Sequence, residues 1–201
     1  TMKKGIFSLM MGLILAFTGL VRADELTVYD GTTTCSTLPL YGYYADAYTR
    51  SQYVIPAADL SVMAGAQITG LQYYTTTTAD WGVNYYVYLT EVSNTTMSGF
   101  VDRSAATVVY TGHLAAANGG MTITFDTPYT YNGGNLLIGM DNLSQGTYIS
   151  CSWVATSVTN AGYYGYNYSS PTSMSSSYST SYIPKTTFTY EGGTPAPGRG
   201  L

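Results

Sequence analysis

Charged residues are scarce in this sequence, and basic residues are scarcest. The 201 residues include seven Lys and Arg, 11 Asp and Glu, one His and two Cys. Proteins that bind nucleic acid or an anionic membrane surface use clustered Lys or Arg, and no such cluster follows residue 22. The composition therefore predicts a protein that binds neither nucleic acid nor a membrane.

The shortage of histidine also excludes several kinds of catalytic site. A Ser or Cys triad needs a histidine base, and His113 is the single histidine, in a turn-like stretch. A zinc site lacks ligands for the same reason. Glycoside chemistry needs two carboxylates at a fixed separation, which the spacing of the acids does not establish. The acidic candidates are Asp80, Glu91, Asp102, Asp126 and Asp141. We therefore expect no enzymatic activity and no cofactor, with structural calcium as a weak alternative because no Asp-x-Asp-x-Asp loop is present.

The longest apolar run is too short to span a membrane. Gly5 to Leu20 is almost wholly apolar over 16 residues, whereas a transmembrane helix needs about 20. Basic residues precede the run, and Val21-Arg22-Ala23 offers a cleavage site, the pattern of an export signal. Residues 1–23 are therefore predicted to be a signal peptide, and the protein to be extracellular or on the cell surface, with the periplasm as the alternative.

The two cysteines are Cys35 and Cys151. In an exported chain an even number of cysteines favours a disulfide. The alternative is two separate buried thiols, because two residues far apart in the fold cannot be bridged. The sequence leaves both open.

Apolar residues recur with a period of two in most of the remaining chain. Met121, Ile123 and Phe125 alternate with polar residues, as in a half-buried antiparallel strand. The run 135–140 is apolar without alternation, which predicts a central strand covered on both faces. The alternation changes parity at Gly70, which predicts a β-bulge.

These segments together predict the fold class. About ten short strands are joined by Gly-rich and Ser-rich turns, and the one helical signal lies near 56–63. The pattern indicates an all-β protein, a two-sheet antiparallel sandwich of jelly-roll or Greek-key type, over residues 24–190. Residues 191–201 are rich in Gly and Pro and are predicted to begin a linker to downstream domains of the same polypeptide.

Four segments together resemble a known group of proteins. They are ELTVYDGT at Glu25, VIPAADL at Val54, TPYTYNGGNLLIGM at Thr127 and IPKTTFTY at Ile183. They resemble the N-terminal module of secreted or surface multi-domain proteins of Gram-negative gut and oral anaerobes, similar in style to the jelly-roll adhesin domains of gingipain-type proteins. The resemblance implies a β-sandwich that precedes further repeats, and it implies no catalytic residue.

Tyrosine is the residue in surplus, with 22 in the chain. In the stretch AGYYGYNYSSP, Tyr164, Tyr166 and Tyr168 share one face of a strand and Tyr163 points the other way. These three residues, with Trp81 if its loop lies nearby, are the candidates for an aromatic platform that binds a ligand. The alternative, which the spread of tyrosine over the whole chain favours, is that the tyrosines are ordinary strand residues.

The function predicted from these patterns is a secreted or cell-surface binding or adhesion module. Its partner would be a glycan or an extracellular protein, and it would form part of a larger protein. The alternative is a structural spacer that caps a surface stalk and has no ligand of its own.

Overall fold

The computed structural model describes residues 23–117 and 119–193. The predicted signal peptide, except Ala23, and the predicted linker from Thr194 onward lie outside the described residues. Within the described part of the chain, no helix is long and apolar enough to cross a membrane.

Strands make up most of the described residues, as the alternating pattern predicts. They are β1 Asp24–Val28, β2 Thr33–Cys35, β3 Tyr48–Ile55, β4 Gln67–Tyr74, β5 Ala79–Val92, β6 Thr107–Ala116, β7 Gly120–Thr130, β8 Asn135–Asn142, β9 Trp153–Asn167, β10 Ser176–Pro184 and β11 Thr186–Glu191. All pairings between these strands are antiparallel.

The strands form two sheets with the order of a jelly roll. The four-stranded sheet has the order β1-β11-β4-β7, and the seven-stranded sheet has the order β10-β9-β3-β8-β5-β6, with β2 paired to β9. When the hairpin β9–β10 and the short β2 are set aside, two four-stranded sheets remain, β1-β11-β4-β7 and β3-β8-β5-β6. This is the interleaved order of a jelly roll, so the predicted fold class is confirmed.

The core lies between the two sheets because every second residue of each strand points inward. Leu71 of β4 and Ile123 of β7 pack in one buried cluster with Val87 of β5 and Ile138 of β8. In the same layer, the hydroxyl groups of Tyr53 on β3 and Tyr73 on β4 are joined by a hydrogen bond of 2.8 Å. This bond links the two sheets within the apolar core.

The central strand is covered on both faces, as its unbroken apolar run predicts. Strand β8 lies between β3 and β5, and Leu136, Leu137 and Ile138 are all fully buried. The outer side of the sheet at Leu137 is covered by Met97, in the loop 93–106 that connects β5 to β6. A hydrophobic residue is therefore needed at successive positions and not only at alternate ones.

Local features predicted from glycine and proline are also present. A 3₁₀ helix spans Ala57–Met63, begins after Pro56 and buries Leu60 and Met63. The pairing of β4 with β7 shifts register between Ile68 and Gly70, which confirms the bulge. A short 3₁₀ turn, Gly42–Tyr44, was not predicted.

The two cysteines do not pair. Cys35 and Cys151 are buried free thiols, and the thiol of Cys35 donates to the carbonyl of Leu38. The register places Cys35 opposite Trp153, so that Cys151 lies two positions further along the neighbouring chain segment. The structure therefore has two separate buried thiols, which is the second of the two alternatives that the sequence leaves open.

Candidate ligand-binding surface

The register of β9 places two of the predicted tyrosines on the inward side of the larger sheet. Tyr164 pairs with Ser51 and Tyr166 with Thr49, while the core residue Tyr53 pairs with Gly162. Side chains of paired residues share a face, and the face repeats every second residue. Tyr164 and Tyr166 therefore continue the face that carries Tyr53.

The 3₁₀ turn brings three further tyrosines against this face. The rings of Tyr44 and Tyr166 are stacked at 4.2 Å with an interplanar angle of 6°. Tyr41 meets Tyr164 edge to face at 4.7 Å, and Tyr43 lies 5.4 Å from Tyr44. Stacked and edge-to-face pairs are the favoured aromatic geometries, so the turn is fixed to the sheet by ring contacts.

Three more rings extend the cluster outward. Tyr148, in the connection between β8 and β9, lies 4.4 Å from Tyr43. Tyr168 lies 5.7 Å from Tyr166, and Tyr178 of β10 lies 5.7 Å from Tyr164. The eight connected rings, hereafter the tyrosine surface, belong to Tyr41, Tyr43, Tyr44, Tyr148, Tyr164, Tyr166, Tyr168 and Tyr178.

The tyrosine surface has a buried base and an exposed rim. Tyr41 is 8% exposed and forms the base, whereas Tyr43, Tyr148, Tyr168 and Tyr178 are 37%, 47%, 51% and 51% exposed. Large apolar side chains are seldom grouped on the surface of a monomeric protein unless they contact a partner or a ligand. The structure thus brings the three predicted residues Tyr164, Tyr166 and Tyr168 into one continuous surface.

The prediction that Trp81 belongs to the platform is wrong. Trp81 lies in β5 and not in a loop, and its side chain is fully buried. Its indole packs on Trp153 at 6.2 Å between ring centroids, and its N–H donates to the carbonyl of Ile149 at 2.9 Å. The alternation Ala79, Trp81, Val83 carries it into the core.

Trp81 instead supports the tyrosine surface from beneath. A Cβ placed on Gly42 would lie 2.1 Å from Nε1 of Trp81, so the 3₁₀ turn rests directly on the indole. The backbone N–H of Thr147 donates to the carbonyl of Trp81 at 2.9 Å, next to Tyr148. One buried tryptophan thus positions both segments that bring tyrosines to β9.

Sequence reasoning missed five members of the surface. Tyr41, Tyr43 and Tyr44 form the motif YGYY, whose small glycine between aromatics is a signal for close packing on another ring. Tyr148 and Tyr178 carry no comparable signal, because the connection between β8 and β9 brings Tyr148 near Tyr43 and the pairing of β10 with β9 brings Tyr178 near Tyr164. Tyr163 lies on the opposite face, as predicted, and packs on Phe100 at 4.9 Å.

The surface is uncharged apart from one carboxylate. Burial, and then the neighbouring tyrosines, raises the pKa of Tyr41, and burial followed by Tyr178 raises the pKa of Tyr164. Hydrogen bonding to Tyr43 contributes most in raising the pKa of Tyr148 to about 12. Asp46 borders the rings, and its Oδ2 accepts a hydrogen bond from the Tyr168 hydroxyl at 3.5 Å. At neutral pH the surface therefore presents protonated hydroxyl groups and ring faces.

The histidine and the metal-ligand candidates do not assemble into a site. Nε2 of His113 lies 3.0 Å from Oδ1 of Asp80, with both side chains about half exposed or more. Among the described residues, no group of three or more His, Cys, Asp or Glu side chains could hold a metal ion.

The remaining acidic candidates are occupied by local structural contacts. Glu91 accepts hydrogen bonds from the backbone N–H groups of Asn132 and Gly134 and stabilises that turn. Asp102 accepts from Ser104 two residues later. Asp126 accepts from the N–H of Thr111. Asp141 is buried in a cluster on the opposite face of the larger sheet.

No protein-family model, curated protein or solved structure was found to match this chain. The fold assignment rests on the strand order and the shared core described above. The resemblance to modules of surface proteins stays a prediction.

Proposed function

We propose that this domain is a non-enzymatic binding module of a secreted or cell-surface protein, and that the tyrosine surface binds a glycan. The observation that carries the proposal is the continuity of eight tyrosine rings, four of them more than one third exposed. A scattered set of exposed tyrosines would need no explanation, whereas a connected set indicates a recognition surface.

The chemistry of the surface suits a sugar. The C–H face of a pyranose ring is apolar and packs on an aromatic face, while its hydroxyl groups need donors and acceptors nearby. Tyrosine supplies both in one side chain. The rings are also held against one another, so ordering them on binding costs little conformational entropy.

The charge of the surface narrows the class of glycan. Asp46 places a carboxylate beside Tyr148 and Tyr168, and no Lys or Arg is in ring contact with the eight tyrosines among the described residues. A carboxylate accepts hydrogen bonds from sugar hydroxyl groups and repels carboxylated or sulfated sugars. The ligand is therefore a neutral glycan.

A glycan array with a matched pair of variants tests the proposal. The double variant Tyr148→Ala/Tyr168→Ala removes two exposed rings, and Tyr110→Ala removes a tyrosine of β6 outside the surface. Selective binding of neutral glycans that is lost in the double variant and kept in Tyr110→Ala would support the proposal. An array of extracellular-matrix proteins run in parallel distinguishes a protein ligand. Silence on both arrays would contradict the proposal and favour a spacer.

A further inference from the structure

A second concave region lies on the outer face of the seven-stranded sheet. The loop 93–106 packs over this face, and Val101 and Ala106 contact the cluster that contains Tyr88. A pocket of about 210 Å³ is lined by Tyr86, Tyr88, Arg103, Ser104 and Val108. Tyr88 of β5 pairs with Val108 of β6, so the rings and the valine form one wall on the same side of the sheet.

The pocket borders a buried cluster in which two guanidinium groups contact one carboxylate, and the exposed carboxylate of Asp102 lies near Arg50. Asp141, whose side chain is 5% exposed, accepts a hydrogen bond from Nε of Arg50 at 2.9 Å and one from Nη1 of Arg103. The Tyr88 hydroxyl donates to its other oxygen at 3.0 Å. Arginine stays protonated at all physiological pH values. Two guanidinium groups therefore share one carboxylate, in a chain whose net charge is −4.

The two arginines differ in their exposure and in how many of their side-chain N–H donors have an acceptor. Arg50 is 11% exposed and also donates to the carbonyl of Pro171. Arg103 is 34% exposed, and only its Nη1 has an acceptor among the described residues. The other donors of Arg103 are therefore oriented by Asp141 but unused, at the wall of a pocket lined by two tyrosine side chains and Val108, which is 46% exposed.

We propose that this pocket binds a small carboxylic acid with an apolar body. The carboxylate would accept hydrogen bonds from Arg103, since guanidinium and carboxylate groups match in geometry and charge. The apolar body would lie against the rings of Tyr86 and Tyr88 and against Val108, contacts that phosphate or sulfate has no apolar surface to make. Pockets for drug-sized ligands measure roughly 300–1,000 Å³, so the ligand here is a single-ring or short aliphatic acid.

Benzoate is a suitable probe, with benzamide as the neutral molecule of the same shape and inorganic phosphate as the anion without an apolar body. Calorimetric titration of the whole domain should show saturable binding of benzoate and none of benzamide or phosphate. Arg103→Gln should weaken benzoate binding by at least about tenfold, the usual worth of a charge-assisted hydrogen bond. Equal binding of benzamide, or of phosphate, would overturn the proposal.

Arg103→Gln also removes one hydrogen-bond partner of Asp141, so weaker binding in this variant has two explanations, loss of the ligand contact and displacement of the loop 93–106. A second variant separates the two. Val108→Glu places a carboxylate at the pocket without touching the Asp141 cluster, and Thr107→Glu places the same group on the neighbouring exposed position of β6. We expect Val108→Glu to abolish benzoate binding and Thr107→Glu to retain it, with closely similar unfolding curves. Retained binding in Val108→Glu would contradict the proposal. Either result leaves the glycan proposal unaffected, because the pocket and the tyrosine surface lie on opposite sides of the sheet.

Discussion

The buried and the exposed tyrosines of this domain follow the same strand pattern and have different environments. Tyr53 and Tyr85 are fully buried on the inner face of the larger sheet, whereas Tyr178 is 51% exposed although it pairs with Tyr164, which is on that same face. The two environments differ because different parts of the chain pack against the rings. The smaller sheet covers Tyr53, and the turn Gly42–Tyr44 covers only part of the tyrosine surface. Core and surface are therefore distinguished by tertiary packing and not by local sequence.

Alkaline pH should have the largest effect, because it unfolds the domain and so exposes the buried tyrosines as well. Burial raises the pKa of Tyr53 and Tyr73, and it raises the pKa of Tyr131 to about 12. Tyrosines of the unfolded chain have a pKa of about 10. The folded state then holds more protons than the unfolded state above pH about 10, so stability present below that pH is lost as pH rises. We expect phenolate absorbance and loss of circular dichroism to change together above that pH. Full ionisation of the tyrosines with an intact fold would contradict this.

Replacing Trp81 should affect the core and the tyrosine surface together, because the Trp81 side chain packs in the core and supports the tyrosine surface. Trp81→Ala is expected to reduce the free energy of unfolding by about 3–5 kcal/mol, as for other large aromatic side chains removed from a core. Urea unfolding measures the loss. Ring contacts near Tyr44 and Tyr148 should also loosen, visible as sharper and less dispersed tyrosine signals in NMR spectra. A loss below about 1 kcal/mol would show that the indole is not packed as described.

Residues whose neighbours lie nearby in sequence were the easier ones to predict. The bulge at Gly70 and the two-sided burial of Leu137 follow from parity and from an unbroken apolar run. The sequence predicts a loop at Trp81 because its flanking residues Asp80 and Gly82 are typical of a loop, whereas tertiary packing extends β5 through them. Tyr148 could not be predicted at all, since its position depends on how the connection after β8 returns past the turn.

Gly42→Ala should disturb the tyrosine surface more than the core. The added Cβ would lie 2.1 Å from Nε1 of Trp81, and overpacking of this kind costs about 1–3 kcal/mol. The turn is expected to lift from the indole, separating the stacked Tyr44 and Tyr166 rings. Glycan binding should fall more than for Gly99→Ala, where a Cβ meets no atom within 4 Å. Equal binding by the two variants would show that the turn does not position the surface.

The buried hydroxyl groups can be tested one at a time. Tyr53→Phe removes the hydrogen bonds of the Tyr53 hydroxyl with Tyr73 and Thr186 and leaves the Tyr73 hydroxyl without its partner in the core, at a cost of about 1–2 kcal/mol. Tyr85→Phe is the control, because the Tyr85 hydroxyl is buried with no partner among the described residues, so its removal should be neutral or stabilising. Paired thermal unfolding measures both. The opposite order of stability would contradict the assigned hydrogen bond.

The smallest change in stability is expected at the rim of the tyrosine surface, and it isolates binding from folding. Tyr178 is 51% exposed, so Tyr178→Ala should alter the free energy of unfolding by no more than about 0.5 kcal/mol. Its ring lies 5.7 Å from Tyr164, and a glycan that spans the surface would lose one stacking face. A weaker glycan affinity at unchanged stability would separate recognition at the rim from packing in the core. Unchanged affinity would place the glycan nearer Tyr43 and Tyr148, because these rings stay exposed at the opposite end of the same connected cluster.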